Sequence, residues 1–116
     1  MRGIVQGYKE TRDNLKTHAS GWPEPEHLLS LIASESTVYG VDGVGNGRDS
    51  EASEMLVNAV DASAEPLWVP PWGGANTLAQ ALWHVNATRQ ADIDLFVSKL
   101  RGYSTSDQDN DGPWIR

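Results

Sequence analysis

Apolar residues recur along this chain at helical spacing in some stretches and in short continuous runs in others, and the alternation outlines its elements. After Asp49 and Ser50, either of which can cap, Ala52, Met55, Leu56, Ala59 and Val60 fall at i, i+3, i+4, i+7 and i+8 of one helix face, with Glu51 and Glu54 in the first turn. Leu67-Trp68-Val69 is a short apolar run that reads as a buried strand, and Pro70 and Pro71 stop it from continuing as a paired one. Gly73 and Gly74 then allow a sharp turn. Asn76 or Thr77 can cap a helix to about Asn86, with Leu78, Ala79, Leu82 and Val85 on its apolar face. A further helix is predicted over about Gln90–Leu100, with Ile93, Phe96, Val97 and Leu100 on one side and Gly102 closing it. Tyr103-Ser104-Thr105 reads as a second strand opening onto an acidic loop.

The N-terminal part is more polar. Ile4 to Thr17 reads as a helix with a thin stripe of Ile4, Val5, Tyr8 and Leu15, and Gly21 to Pro25 as a turn. Pro25 suits the first residue of a helix carrying Leu28, Leu29, Leu31 and Ile32. Thr37-Val38-Tyr39 reads as a short extended stretch before the glycine-rich loop Gly40–Gly47. Helix, strand, helix and strand at crossover spacing argue for an α/β fold with a parallel, Rossmann-like sheet. The order strand, tight turn, helix N-terminus around Trp72–Thr77 marks the place where open α/β sheets hold ligands.

Composition narrows the function classes. Nine basic against sixteen acidic residues give a net charge of −7, which disfavours binding to nucleic acid, and no basic cluster offsets it. The absence of cysteine excludes disulfides and thiolate metal sites and leaves the compartment open. Met1–Glu10 has no apolar core long enough for a signal peptide, and the long uncharged run Pro66–Trp83 is broken by prolines, glycines and Asn76, so no membrane span is expected. At 116 residues the chain is one domain at most.

Four constellations could carry chemistry, each beside a plainer reading. The turn after Trp72 is a ligand site or an ordinary capped helix. Gly43-Val44-Gly45-Asn46-Gly47 before Asp49 would repel an anion, because Asp49, Glu51 and Glu54 follow it. Asn46, Asp49 and Ser50 could instead bond sugar hydroxyls, or the segment is a tight turn with an N-cap. Asp107-Gln108-Asp109-Asn110-Asp111-Gly112 matches the opening of an EF-hand loop. No entering helix precedes it, Pro113 follows the glycine, and the chain ends before a closing glutamate. A pocket rim or solvated acidic loop suits it better than an independent calcium site. Of five tryptophans, Trp72 lies at a strand's carboxyl end and is the candidate for stacking on a sugar. Trp68 and Trp83 read as core residues, and Trp22 and Trp114 as turn residues. His18, His27 and His84 show no metal-ligand spacing.

The segment Trp72-Gly73-Gly74-Ala75-Asn76-Thr77-Leu78-Ala79-Gln80-Ala81-Leu82 resembles the one that replaces Gly-Pro-Leu-Thr-Asn-Leu-Ala in calcium-dependent inosine–uridine nucleoside hydrolases. It is closer to the branch known as cellulose-binding proteins with a nucleoside-hydrolase-like domain. Gly43–Glu51, Phe96–Arg101, Ser106–Asp109 and Gly112–Arg116 agree with that branch, so the resemblance runs from about Leu15 onward. It implies an internal piece of a nucleoside-hydrolase-like α/β domain, with the first strand and its aspartate cluster expected ahead of Met1 and later strands beyond Arg116. It further implies a sugar or nucleoside ligand near Asn46, Asp49, Ser50, Trp72, Asn76, Asp107 and Asp109.

In the hydrolases a main-chain carbonyl at the position of Asn76 binds calcium, and a metal-bound water, deprotonated by an aspartate, attacks the sugar C1. The Pro and Leu of that motif are Gly74 and Ala75 here, and Asp13 stands alone where the aspartate cluster would be needed. Calcium is therefore expected in a full-length parent and not in this piece, the catalytic residues are unassigned, and the isolated chain is expected to be inactive. The parent reads as an N-glycosyl hydrolase or as a non-catalytic cellulose-binding domain, and a truncated remnant without activity is the third reading. Relatives of this branch are often secreted.

Overall fold

The computed structural model describes residues 1–115 and divides the chain into two compact units, Met1–Ala33 and Ser34–Arg116. The first holds α1 (Arg2–Lys16) and α2 (Pro25–Ser30). Its turn is fastened by side chains: the Tyr8 hydroxyl donates to the Pro23 carbonyl at 2.6 Å and the Trp22 indole to that of Leu15 at 3.0 Å. Arg12 pairs with Glu24, and Lys9 with Glu26 at 3.2 Å. Pro25 opens α2, where its missing N–H is no loss. The helix stops at Ser30, before the expected Leu31 and Ile32, leaving Leu31 exposed.

The second unit contains α3 (Glu51–Asp61), β1 (Leu67–Val69), α4 (Asn76–Thr88), α5 (Ile93–Ser98), β2 (Leu100–Gly102) and the short α6 (Gly112–Ile115). Ser50 caps α3 in a reciprocal box with Ser53, each side chain meeting the other's backbone N–H. β1 and β2 pair in parallel, with Leu67 opposite Leu100 and Val69 opposite Gly102. α3 and the helical crossover between the strands bury Val60, Val85 and Phe96, against which Leu56, Leu67, Leu82, Ile93 and Leu100 pack. The mixed helix and parallel sheet agree with the α/β expectation.

Several boundaries differ from expectation for identifiable reasons. β2 lies at Leu100–Gly102, not Tyr103–Thr105. Leu100 fits the helical spacing after Phe96, yet it is used in the core opposite Leu67. The helix ends because the Lys99 ammonium reaches the Val60 and Ser63 carbonyls at the end of α3, at 3.0 and 3.1 Å. The Lys99 carbonyl then accepts from Leu67 N–H as the first rung of the pairing. Gly102 is thus the last strand residue rather than a helix cap, and Gln90–Asp92 form a separate 3₁₀ turn before α5. Thr37–Tyr39 pairs with no strand and leads into a 3₁₀ turn at Gly40–Gly43. β1 is half-buried rather than buried: Leu67 and Val69 face the core, and Trp68, read from sequence as core, is exposed because strand side chains alternate.

Candidate functional site

The turn after β1 and the loop after β2 meet at the N-terminus of α4. Neither Asn76 nor Thr77 caps that helix; Ala75 holds the cap position without a side-chain bond. The cap comes from 33 residues away, where an Asp109 carboxylate oxygen accepts from Asn76 N–H at 3.1 Å. An anion there satisfies one of the helix's free N–H groups and opposes its macrodipole. The Asn76 side chain is free to donate to the Val38 carbonyl at 2.8 Å, and the Thr77 hydroxyl donates to Glu35 at 3.1 Å. The segment before the 3₁₀ turn is thereby drawn to the same helix end.

Close packing explains the glycines here. A Cβ on Gly74 would lie 2.2 Å from an Asp109 carboxylate oxygen, and one on Gly40 would lie 2.4 Å from the Asp109 carbonyl. Gly40 also has φ of 57°, where a side chain is strained. The Tyr39 hydroxyl donates to the Gln108 carbonyl at 2.7 Å, and an Asp107 oxygen accepts from Gly112 N–H at 3.2 Å. Asn110 takes φ of 61°, which asparagine tolerates, and reverses the chain between Asp109 and Asp111.

Asp109 is 4% exposed and Asp111 fully buried. One oxygen of Asp109 and both of Asp111 find no hydrogen-bond partner among the described residues. Burial is the main reason the Asp111 carboxyl is pushed up to about 6, and the negative charges of Asp109 and Asp107 add to it. Asp111 was not singled out from sequence. Its place in the alternating Asp107-x-Asp109-x-Asp111 pattern was visible, but its burial was not.

Beside this lies an open cavity of about 460 Å³, lined by Pro71, Ala75, Tyr103, Ser104, Asp107 and Ile115 among others. It lies beyond the carboxyl ends of both strands, where open α/β sheets bind ligands, and its volume falls in the range of small-molecule sites.

The structure brings together three of the residues proposed from sequence, Asn76, Asp107 and Asp109. Trp72 is on the adjoining turn, 92% exposed and free to offer a ring face. Asn46, Asp49 and Ser50 are placed elsewhere. Gln80, one turn into α4 and 2% exposed, spans Gly45 by accepting from its N–H at 2.7 Å and donating to its carbonyl at 3.1 Å. Gln80 also donates to Asp49 at 2.7 Å, and the other Asp49 oxygen lies 3.1 Å from Nδ1 of His84. The glycine loop is therefore strapped to the flank of α4. A smaller cavity of about 220 Å³ opens there between α3 and α4, lined by Asp49, Glu54, Asn58 and His84 among others. Ser50 serves as the α3 cap. Sequence reasoning missed Gln80, because a glutamine on an apolar helix face carries no signal until its loop partner is known.

The donors at the α4 N-terminus suit a hard cation, being buried oxygens without partners. Among the described residues, however, no three acidic or histidine side chains stand together as a ready metal-binding set.

A parallel strand–helix–strand unit whose two carboxyl-end loops close on one helix N-terminus is an α/β arrangement. The sequence profile described as cellulose-binding Sde182, nucleoside hydrolase-like domain, matches residues 1–116, and the chain belongs to that family. Among solved structures it is similar to a nucleoside hydrolase-related hypothetical protein from Saccharophagus degradans that is associated with carbohydrate metabolism. The two are 44% identical with a TM-score of 0.89, and the match covers 97% of this chain and 28% of that one. The chain thus spans under a third of that relative's length. No curated protein matches it.

Proposed function

We propose that this domain binds a carbohydrate in the cavity beyond the carboxyl ends of β1 and β2, and that the residues of this chain contribute recognition rather than bond cleavage. The observation that carries the reading is the composition of that cavity. Ser104 and Asp107 offer hydrogen-bonding groups to sugar hydroxyls, while Pro71, Tyr103 and Ile115 offer apolar surface to a sugar's C–H face. Trp72, next to Pro71, adds a second exposed aromatic ring. The cellulose-binding description of the family and the carbohydrate association of the Saccharophagus degradans relative agree with a sugar ligand. N-glycosidic hydrolysis by the parent remains the other reading; it rests on the kinship to nucleoside hydrolases.

Calorimetric titration with cello-oligosaccharides, ribose and inosine tests the proposal, alongside an assay for ribose release. A sugar should bind, Tyr103→Ala should weaken it about fivefold or more by removing a stacked ring, and no ribose should be released from inosine. Absence of binding by every sugar, or affinity unchanged in Tyr103→Ala and Trp72→Ala alike, would overturn it. Ribose release would favour the hydrolase.

A further inference from the structure

A cavity selects its ligand by charge as well as by shape, because a group of like sign is rejected and one of opposite sign is held. The cavity beyond the carboxyl ends of β1 and β2 has one charged side chain among its described lining residues, Asp107. One Asp107 oxygen accepts from Gly112 N–H at 3.2 Å. The other makes no hydrogen bond among the described residues, and the side chain is exposed, so that oxygen is open to a ligand. The loop that carries Asp107 also carries the buried Asp109 and Asp111, and the charges of Asp107 and Asp109 both act on Asp111.

No described cation offsets this. Between Pro70 and Ile115 the basic residues are Arg89, Lys99 and Arg101, and each is held by other groups. Arg89 pairs with Asp61 at 2.6 Å, and Lys99 donates to the Val60 and Ser63 carbonyls. Arg101, next to the strand end, turns back to the Ser98 and Leu100 carbonyls, both at 2.8 Å. The positive end of α4 is met by Asp109 through Asn76 N–H. The exposed rings of Tyr103 and Trp72 act in the same sense, since an aromatic face is negative and attracts a cation.

We propose, on the reading that this cavity holds a carbohydrate, that it prefers sugars bearing a protonated amine over neutral sugars and excludes anionic ones such as uronic acids and sugar phosphates. The ammonium donates to the free Asp107 oxygen, a charge-assisted bond roughly twice as strong as one between neutral groups. A uronate or a phosphate meets Asp107 with no cation to pair with.

The test is calorimetric titration of the 116-residue chain at low salt and slightly acid pH, where a sugar amine keeps its proton. Three ligands of equal length are compared: a cello-oligosaccharide, its counterpart with an amine at C2 of each ring, and its counterpart with a carboxylate at C6. The amine form should bind about fivefold tighter than the neutral one or more, and the carboxylate form about tenfold weaker or less. The amine preference should shrink as salt is raised. Asp107→Asn should remove most of it. Glu65→Gln, which removes the same charge two residues ahead of β1 at the other end of the strand, should retain it. Equal affinity for the neutral and amine forms, or a preference undiminished in Asp107→Asn, would overturn the proposal and leave the carbohydrate reading standing. Binding by none of the three would remove that reading and the proposal with it.

Discussion

Two polar clusters lie on the same helix, α4, and they differ in how completely their groups are satisfied. On its flank, Gln80, Asp49, His84 and Gly45 form a closed network in which the Gln80 amide uses both its ends and each Asp49 oxygen has a partner. At its N-terminus, Asp109 and Asp111 are more deeply buried than Asp49, yet among the described residues three of their four oxygens lack partners. The first arrangement is that of a scaffold, because a satisfied network rigidifies and has little left to offer a ligand. The second carries an unmet demand at the end of the sheet where open α/β folds hold ligands. The strap fixes a loop, and the unsatisfied end is the part to look to for function.

The sharpest break is at the strap. Gln80→Ala should lower stability by about 3 kcal/mol, since it leaves the Gly45 N–H and carbonyl and one Asp49 oxygen without partners. Chemical denaturation measures it, and a loss below about 1 kcal/mol would mean the network is not the scaffold described. Gly74→Ala comes next, at about 2 kcal/mol. The added methyl would press on the buried Asp109 side chain, 2.2 Å from its oxygen and 2.8 Å from its Cγ, which has little room to retreat.

Asp111→Asn should act in the opposite sense. Its carboxyl is pushed up to about 6 against an ordinary value of 3.8. The folded state therefore holds the proton more tightly than the unfolded state. The stability this provides is full below about pH 4, is lost as pH rises through about 6, and stays lost above. Asp111→Asn should raise the neutral-pH stability of the chain by about 1 kcal/mol and flatten its pH dependence over that window. A variant less stable than wild type at pH 8 and no flatter with pH would show that Asp111 already has a partner. The smallest effect belongs to His84→Ala, about 0.5 kcal/mol, because its bond to Asp49 is partly exposed.

Much of this was legible in the sequence, for reasons that can be located. The α3 periodicity, the strand at Leu67–Val69 and the turn before α4 depend on local pattern, and they stand where expected. The family resemblance read from Trp72–Leu82 is confirmed. What was misread depends on distant partners. Leu100 could extend a helix or start a strand until Leu67 was known to face it. Asn76 was a plausible cap until Asp109, 33 residues on, took that place. The candidate site was therefore half visible: Asn76, Asp107 and Asp109 converge, Asp111 was missed, and Asp49, expected to approach them, lies against Gln80 and His84 on the flank of α4.

The measurement that bears most directly on the division between scaffold and ligand-binding end is amide chemical-shift mapping of the chain titrated with a cello-oligosaccharide. Perturbed amides confined to Gly73–Asn76 and Tyr103–Gly112, with Asp49, Asn58 and His84 unmoved, is the predicted result. Shifts centred on the Asp49–His84 cavity, with the loops at the carboxyl ends of the strands unaffected, would contradict it.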